Sequence, residues 1–138
     1  DSNTHAMSEY AQAELLIFQN KLDESIEKLN ILGNIYSEHG LKDDILYLEA
    51  KLYEKKRDYL KAESLYQEII TTFPEEIRAD NALYTQAQLY EHQLNDPEKA
   101  KACYEKLFME YTDSTFAIEA RKRFRELRGD FDEEQQMQ

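Results

Sequence analysis

A chain that states one pattern three times, 37 residues apart, can fold only as a stack of like units. Ala13, Ala50 and Ala87 fall at that interval, as do Tyr10, Tyr47 and Tyr84. Leu16, Tyr53 and Tyr90 form a third such row. Past Leu94 the interval becomes 38, so that Ala62 pairs with Ala100, Tyr66 with Tyr104 and Ile69 with Leu107; the first copy holds Ser25, Leu29 and Leu32 there. Self-similarity at such a period marks supersecondary units that cannot bury an apolar face alone and must stack.

Each unit reads as two helices. In the second, Leu46, Ala50 and Tyr53 recur at steps of four and three, and so do Leu65, Tyr66, Ile69 and Phe73, which is the spacing of one helical face. Asp58 is placed to cap the second helix of that unit and Pro74 to stop it. In the third unit Asp96-Pro97 supplies a cap followed by a first-turn proline. Ala50 and Ala62 are the small residues that two helices need where they fold back closely. The extra residue of the third unit falls in the turn between helices, where an insertion costs least.

Composition agrees. Three Gly, two Pro and no Trp, with charged residues at 33%, leave little turn chemistry for hairpins, so the chain reads as all-α. The formal charge of −12 repels nucleic acid and anionic lipid and favours neutral or basic partners. No apolar run reaches the length of a membrane helix. A lone Cys103 forms no internal disulfide.

These repeats resemble the tetratricopeptide family. The second unit matches its pattern at Leu46, Ala50, Tyr53, Ala62, Tyr66, Ile69 and Pro74. The third matches at Leu83, Ala87, Tyr90, Ala100, Tyr104 and Leu107, with Thr112 in the proline place. The first, at Ala13, Leu16, Ser25, Leu29 and Leu32 with Ser37 in the proline place, is the most degenerate. The pitch is about three residues longer than the usual 34 of this family. Lengthened units of this kind resemble those of bacterial cell-envelope proteins, such as outer-membrane-assembly lipoproteins and the Tol–Pal-associated coordinator. The resemblance implies a right-handed superhelical solenoid: repeats at about 6–39, 43–76 and 80–114, then a capping helix at 114–128, about seven helices in all. Residues 1–7 are expected to be disordered or tag-derived, because SNTHAM has no helical pattern of its own. Residues 129–138 are expected to form an acidic flexible tail after Gly129 breaks the last helix.

No constellation for catalysis is legible. His5, His39 and His92 lack a second His or Cys at ligand spacing, so neither a metal nor any other cofactor is expected. Asp43-Asp44 and Glu75-Glu76 stand at helix starts, where the macrodipole favours them without catalysis. There is no Gly-rich phosphate loop, and Cys103 reads as packing rather than as a reactive thiol. The chain is therefore read as a non-enzyme. Its last helix carries Arg121, Lys122, Arg123, Arg125 and Arg128, which suits either an acidic partner or a solvated end face.

In tetratricopeptide arrays the first helix of each unit lines a concave face, and the resemblance carries its ligand-contacting positions onto Tyr10 and Glu14 in the first unit. In the second they fall on Tyr47, Lys51 and Glu54, and in the third on Tyr84, Gln88 and Glu91. Tyrosine suits an extended peptide, with broad contact area at low entropy cost; it equally suits filling the space between helices. The expected function is a protein-interaction module that holds a neutral or basic peptide or partner domain, without nucleic acid and without membrane insertion. The alternative is a structural domain whose groove is filled by its own longer chain or by a second copy. Leu15, Leu16, Ile17 and Phe18 favour that alternative, since they exceed what one narrow helix face needs. An envelope location follows from the resemblance alone.

Overall fold

The computed structural model describes residues 2–35, 41–75 and 77–129. Ser37, His39, Glu76 and the expected tail from 130 onward lie outside the described residues. Among those described there are seven α-helices and no strand. They are α1 (Ser2–Phe18), α2 (Leu22–Ile35), α3 (Lys42–Lys55), α4 (Tyr59–Thr72), α5 (Ile77–His92), α6 (Pro97–Glu110) and α7 (Ala117–Arg128). They group into two compact units that divide within α4, after Ile69.

In the first unit α1 packs on α2, α2 on α3, and α1 touches α3. Ala6, Ala13, Ile17, Leu29, Leu32, Ile45 and Leu52 make its core, with Tyr10, Ile26 and Leu48 packed against it. Helix α1 begins at Ser2, ahead of the boundary expected after residue 7. The reason is Ala6, which is fully buried and continues the stripe of Tyr10, Ala13 and Ile17 back by one turn. A small residue carries this stripe, and small residues register weakly in hydrophobic periodicity.

In the second unit α5 packs on α6 and α6 on α7. Tyr84 of α5 stacks on Phe116 at 4.6 Å between centroids, and Phe108 of α6 meets Phe124 of α7 edge-on at 5.4 Å. Helix α7 starts at Ala117, three residues later than expected. Ser114 accounts for the delay: its hydroxyl accepts from the Phe116 N–H at 3.1 Å and donates to Asp80 Oδ2 at 2.7 Å. A side chain that takes a backbone donor in this way holds the chain in a turn. Gly129 ends the helix in the left-handed region, φ 93°, where its N–H reaches the Arg125 and Glu126 carbonyls.

The small residues expected at the helix crossing, Ala50 and Ala62, are fully buried, and so are their equivalents in the other repeats, Ala13 and Ala87, Ser25 and Ala100. The Ser25 hydroxyl is satisfied locally by donating to the Leu22 carbonyl at 2.7 Å. The turns between the paired helices are also repeated. Each passes through one left-handed residue: Asn20, Arg57 and Asn95. The next N–H then closes back on the preceding helix, from Lys21 to the Leu16 carbonyl, from Asp58 to Tyr53 and from Asp96 to Tyr90. The three acceptors are equivalent in the repeat. The third turn therefore spans one residue more and closes on the same carbonyl, so Leu94 is absorbed without disturbing either helix.

Both expected caps are made. Asp58 Oδ1 accepts from the Lys61 N–H at 3.2 Å, and Asp96 Oδ1 from the Lys99 N–H at 3.1 Å. Asp58→Ala and Asp96→Ala should each cost about 1 kcal/mol, read as a lower urea midpoint at an unchanged slope. A loss below a few tenths of that for both would mean that the turns, not the caps, set the start of these helices.

Candidate binding face

The residues assigned to ligand contact stand on α1, α3 and α5. In every helix the tyrosine is half-buried and attached to a neighbour. The Tyr10 hydroxyl approaches the Asp44 carbonyl at 3.5 Å. Tyr47 meets Tyr66 edge-on at 5.8 Å, and Tyr84 meets Tyr104 in the same way at 6.2 Å. One turn further along, Glu14 and Gln88 are exposed and Lys51 is half-buried. Lys51 Nζ stands 5.4 Å from the Tyr47 ring centroid, 5.9 Å from that of Tyr66 and 3.6 Å from Glu54 Oε2. An ammonium over two ring faces is held by their quadrupoles.

Glu54 and Glu91 point inward. Glu54 accepts from the hydroxyl of Tyr66, and Glu91 from that of Tyr104 at 2.7 Å. Both phenols are buried. Burial, reinforced at Tyr66 by the Glu54 carboxylate, pushes each phenol above its ordinary range. Glu91 also pairs with Arg123, which reaches it from α7 and holds Glu126 as well. Arg123 thus leaves the basic run and joins the interior, a role its neighbours in sequence conceal. At the same two places the first unit has Ile17 and Leu29, both buried. One position pair is therefore apolar in one copy and a tyrosine–carboxylate hydrogen bond in the other two. Mixed pairing would leave a buried polar group without a partner, so the two positions must change together.

Cys103 is half-buried, and its thiol lies 3.4 Å from Oε1 of the buried Gln86. Among the described residues no group of three His, Cys, Asp or Glu could hold a metal ion. No described helix is long and apolar enough to cross a membrane. Open depressions among the described residues include a groove of about 500 Å³ between α1 and α2, a cleft of about 450 Å³ between Pro74 and Ser114, and a hollow of about 180 Å³ beside Phe108 and Phe124. The last two have no sequence signal, because they arise where loops and helix ends converge. The first was foreshadowed by the apolar excess at residues 15–18, of which Ile17 is buried while Leu15 and Phe18 remain exposed.

Residues 44–76 and 81–114 match the model of the tetratricopeptide repeat family. Both stretches are tetratricopeptide repeats. Repeats of this family are protein–protein interaction modules and are generally non-catalytic. The two matched tetratricopeptide repeats contain the tyrosine–carboxylate pairs described above, Tyr66 with Glu54 and Tyr104 with Glu91. A comparison with curated proteins gave no match.

Proposed function

We propose that this chain is a non-catalytic scaffold that binds a neutral or basic peptide or partner domain on the first-helix faces of its repeats. Tyr10 with Glu14, Tyr47 with Lys51, and Tyr84 with Gln88 form the contact set. Glu54 and Glu91 support it from below by fixing the second-helix tyrosines against which Tyr47 and Tyr84 rest. The carrying observation is the shared arrangement on α3 and α5: a half-buried tyrosine wedged edge-on against a fixed ring, with a polar side chain one turn on. Such a tyrosine is already immobilised, so it offers contact area with little entropy left to lose. The net charge of −12 favours a neutral or basic occupant. The likeness of the lengthened repeats to those of envelope proteins is what would place that occupant in a cell envelope.

The test uses the polar positions, since removing the tyrosines would also remove packing. The chain is immobilised, exposed to extract of its native host, and compared with Glu14→Arg, Lys51→Glu and Gln88→Arg. A partner held by the wild type should be lost or weakened at least about tenfold by one or more variants whose circular dichroism and urea midpoint are unchanged. Equal capture by all four proteins would move recognition off these faces. The second reading, a domain whose exposed surface is covered by its own longer chain or by another copy, is favoured by one observation: Leu15 and Ile31 are exposed in one groove of α1 and α2.

A further inference from the structure

The two ends of the described chain carry surfaces of opposite character. On α1 and α2 the groove has Leu15, Leu16 and Ile31 along its apolar wall, with Leu15 and Ile31 each 53% exposed. Its charged rim belongs to α2, where Glu24 and Glu27 are exposed. Lys28, the groove's cation, is tied to Glu9 at 2.9 Å and to Gln12 at 2.8 Å, which leaves the rim acidic.

Helix α7 is the reverse. It has five basic residues against two acidic, which makes it the single net-positive helix among the seven. Ile118, Arg121, Lys122 and Arg125 follow at steps of three and four along one exposed stripe, and Ile118 is 86% exposed. The stripe is backed by rings: the Arg121 guanidinium lies 5.2 Å from the Phe108 centroid and that of Arg128 5.0 Å from Phe124. Guanidinium on an aromatic face is held in place, and that of Arg121 stands at the exposed surface, where its outer edge can meet a carboxylate.

We propose that the α7 stripe of one copy docks in the α1–α2 groove of a second copy, in a head-to-tail contact. Ile118 and the arginine stems meet Leu15, Leu16 and Ile31, and the guanidinium heads face Glu24 and Glu27. This is a helix-in-groove contact with complementary charge. Two grooves pairing face to face would instead set Glu24 and Glu27 against their own copies, a like-charge arrangement that costs affinity. A single such contact is heterologous and leaves one groove and one stripe open for further copies. It deepens the second reading above and is independent of the tyrosine faces. Its failure would leave ligand binding there untouched.

The full 138-residue chain is examined by sedimentation velocity from about 1 to about 500 µM, the range in which a weak specific contact populates. Two double variants accompany it: Leu15→Lys with Ile31→Lys closes the groove, and Arg121→Glu with Arg125→Glu reverses the stripe. The four positions are exposed, and circular dichroism confirms folding; Ile118→Glu replaces the second pair if that pair fails to fold. The wild type should self-associate as concentration rises. Each double variant should remain monomeric alone, and an equimolar mixture should form a heterodimer that grows no further. A wild type monomeric throughout overturns the proposal. So does self-association retained by the stripe variant but lost by the groove variant, which would indicate groove-to-groove pairing, or a mixture that does not associate.

Discussion

Glu91→Ala should destabilise the second unit by about 3 kcal/mol, the cost of stranding a charged or hydrogen-bonded partner in a buried site. The Glu91 side chain is 7% exposed and joins three helices, accepting from Tyr104 on α6 and pairing with Arg123 on α7. Its loss leaves the Tyr104 hydroxyl without its acceptor in a place water does not reach. Arg123 suffers less, since it is 30% exposed and keeps Glu126. Glu54→Ala should cost about half as much, because Glu54 is 24% exposed and its cation, Lys51, is 41% exposed. The double change Glu91→Ala with Tyr104→Phe should recover about 1 kcal/mol relative to the sum of the single changes, since it removes the orphaned hydroxyl along with its acceptor. Chemical denaturation of the four proteins measures this coupling. Strict additivity would show that the hydroxyl finds another acceptor, and that the apolar Ile17 and Leu29 of the first unit differ from the other copies for an unrelated reason.

What could be seen in the sequence divides by the range of the interaction. The buried alanine positions were legible because a close helix crossing tolerates few residue types, and three aligned copies at Ala13, Ala50 and Ala87 leave one explanation. The caps at Asp58 and Asp96 were legible because a cap is made within three residues. The left-handed turn residues were not: Asn20 and Asn95 are common in that region, but Arg57 gives no local sign, and its conformation follows from the closing bond of the turn. On the candidate face, position along a helix was readable and direction was not. Glu54 and Glu91 share the stripe of Tyr47 and Tyr84, yet they turn inward because Tyr66 and Tyr104 present hydroxyls there. A signal did exist in the joint change from Ile17 and Leu29 to Glu and Tyr at one pair of repeat positions. It becomes visible only when the two helices of a unit are compared as a pair.

Alkali should unfold this protein more steeply than a chain with exposed tyrosines, and the sign follows from the buried phenols. Tyr66 and Tyr104 are held above their ordinary range, by burial first and then by neighbouring charge and rings. In the unfolded chain each loses its proton near pH 10. Below that pH both states keep the proton, and the phenols contribute their full share of stability. Above it the unfolded state binds fewer protons than the folded one, so stability falls as pH rises, by about 1.4 kcal/mol per pH unit for each tyrosine. Two such groups remove about 5 kcal/mol by pH 12, comparable with the whole stability of a small marginal domain. Tyr104→Phe keeps the ring and deletes the titration. It should be less stable than the wild type at pH 7 by about 1–2 kcal/mol for the lost bond to Glu91, and it should lose stability with pH at a shallower slope. The two curves should cross near pH 11. Urea midpoints from pH 8 to 12 follow both proteins, and parallel curves would mean that Tyr104 ionises in the folded state as readily as in the unfolded one. The same comparison with Tyr66→Phe separates the two phenols. If both variants lose the same slope, the tyrosine–carboxylate pair behaves as one repeated device, set by burial at equivalent positions of α4 and α6 rather than by the different cations, Lys51 and Arg123, that accompany it.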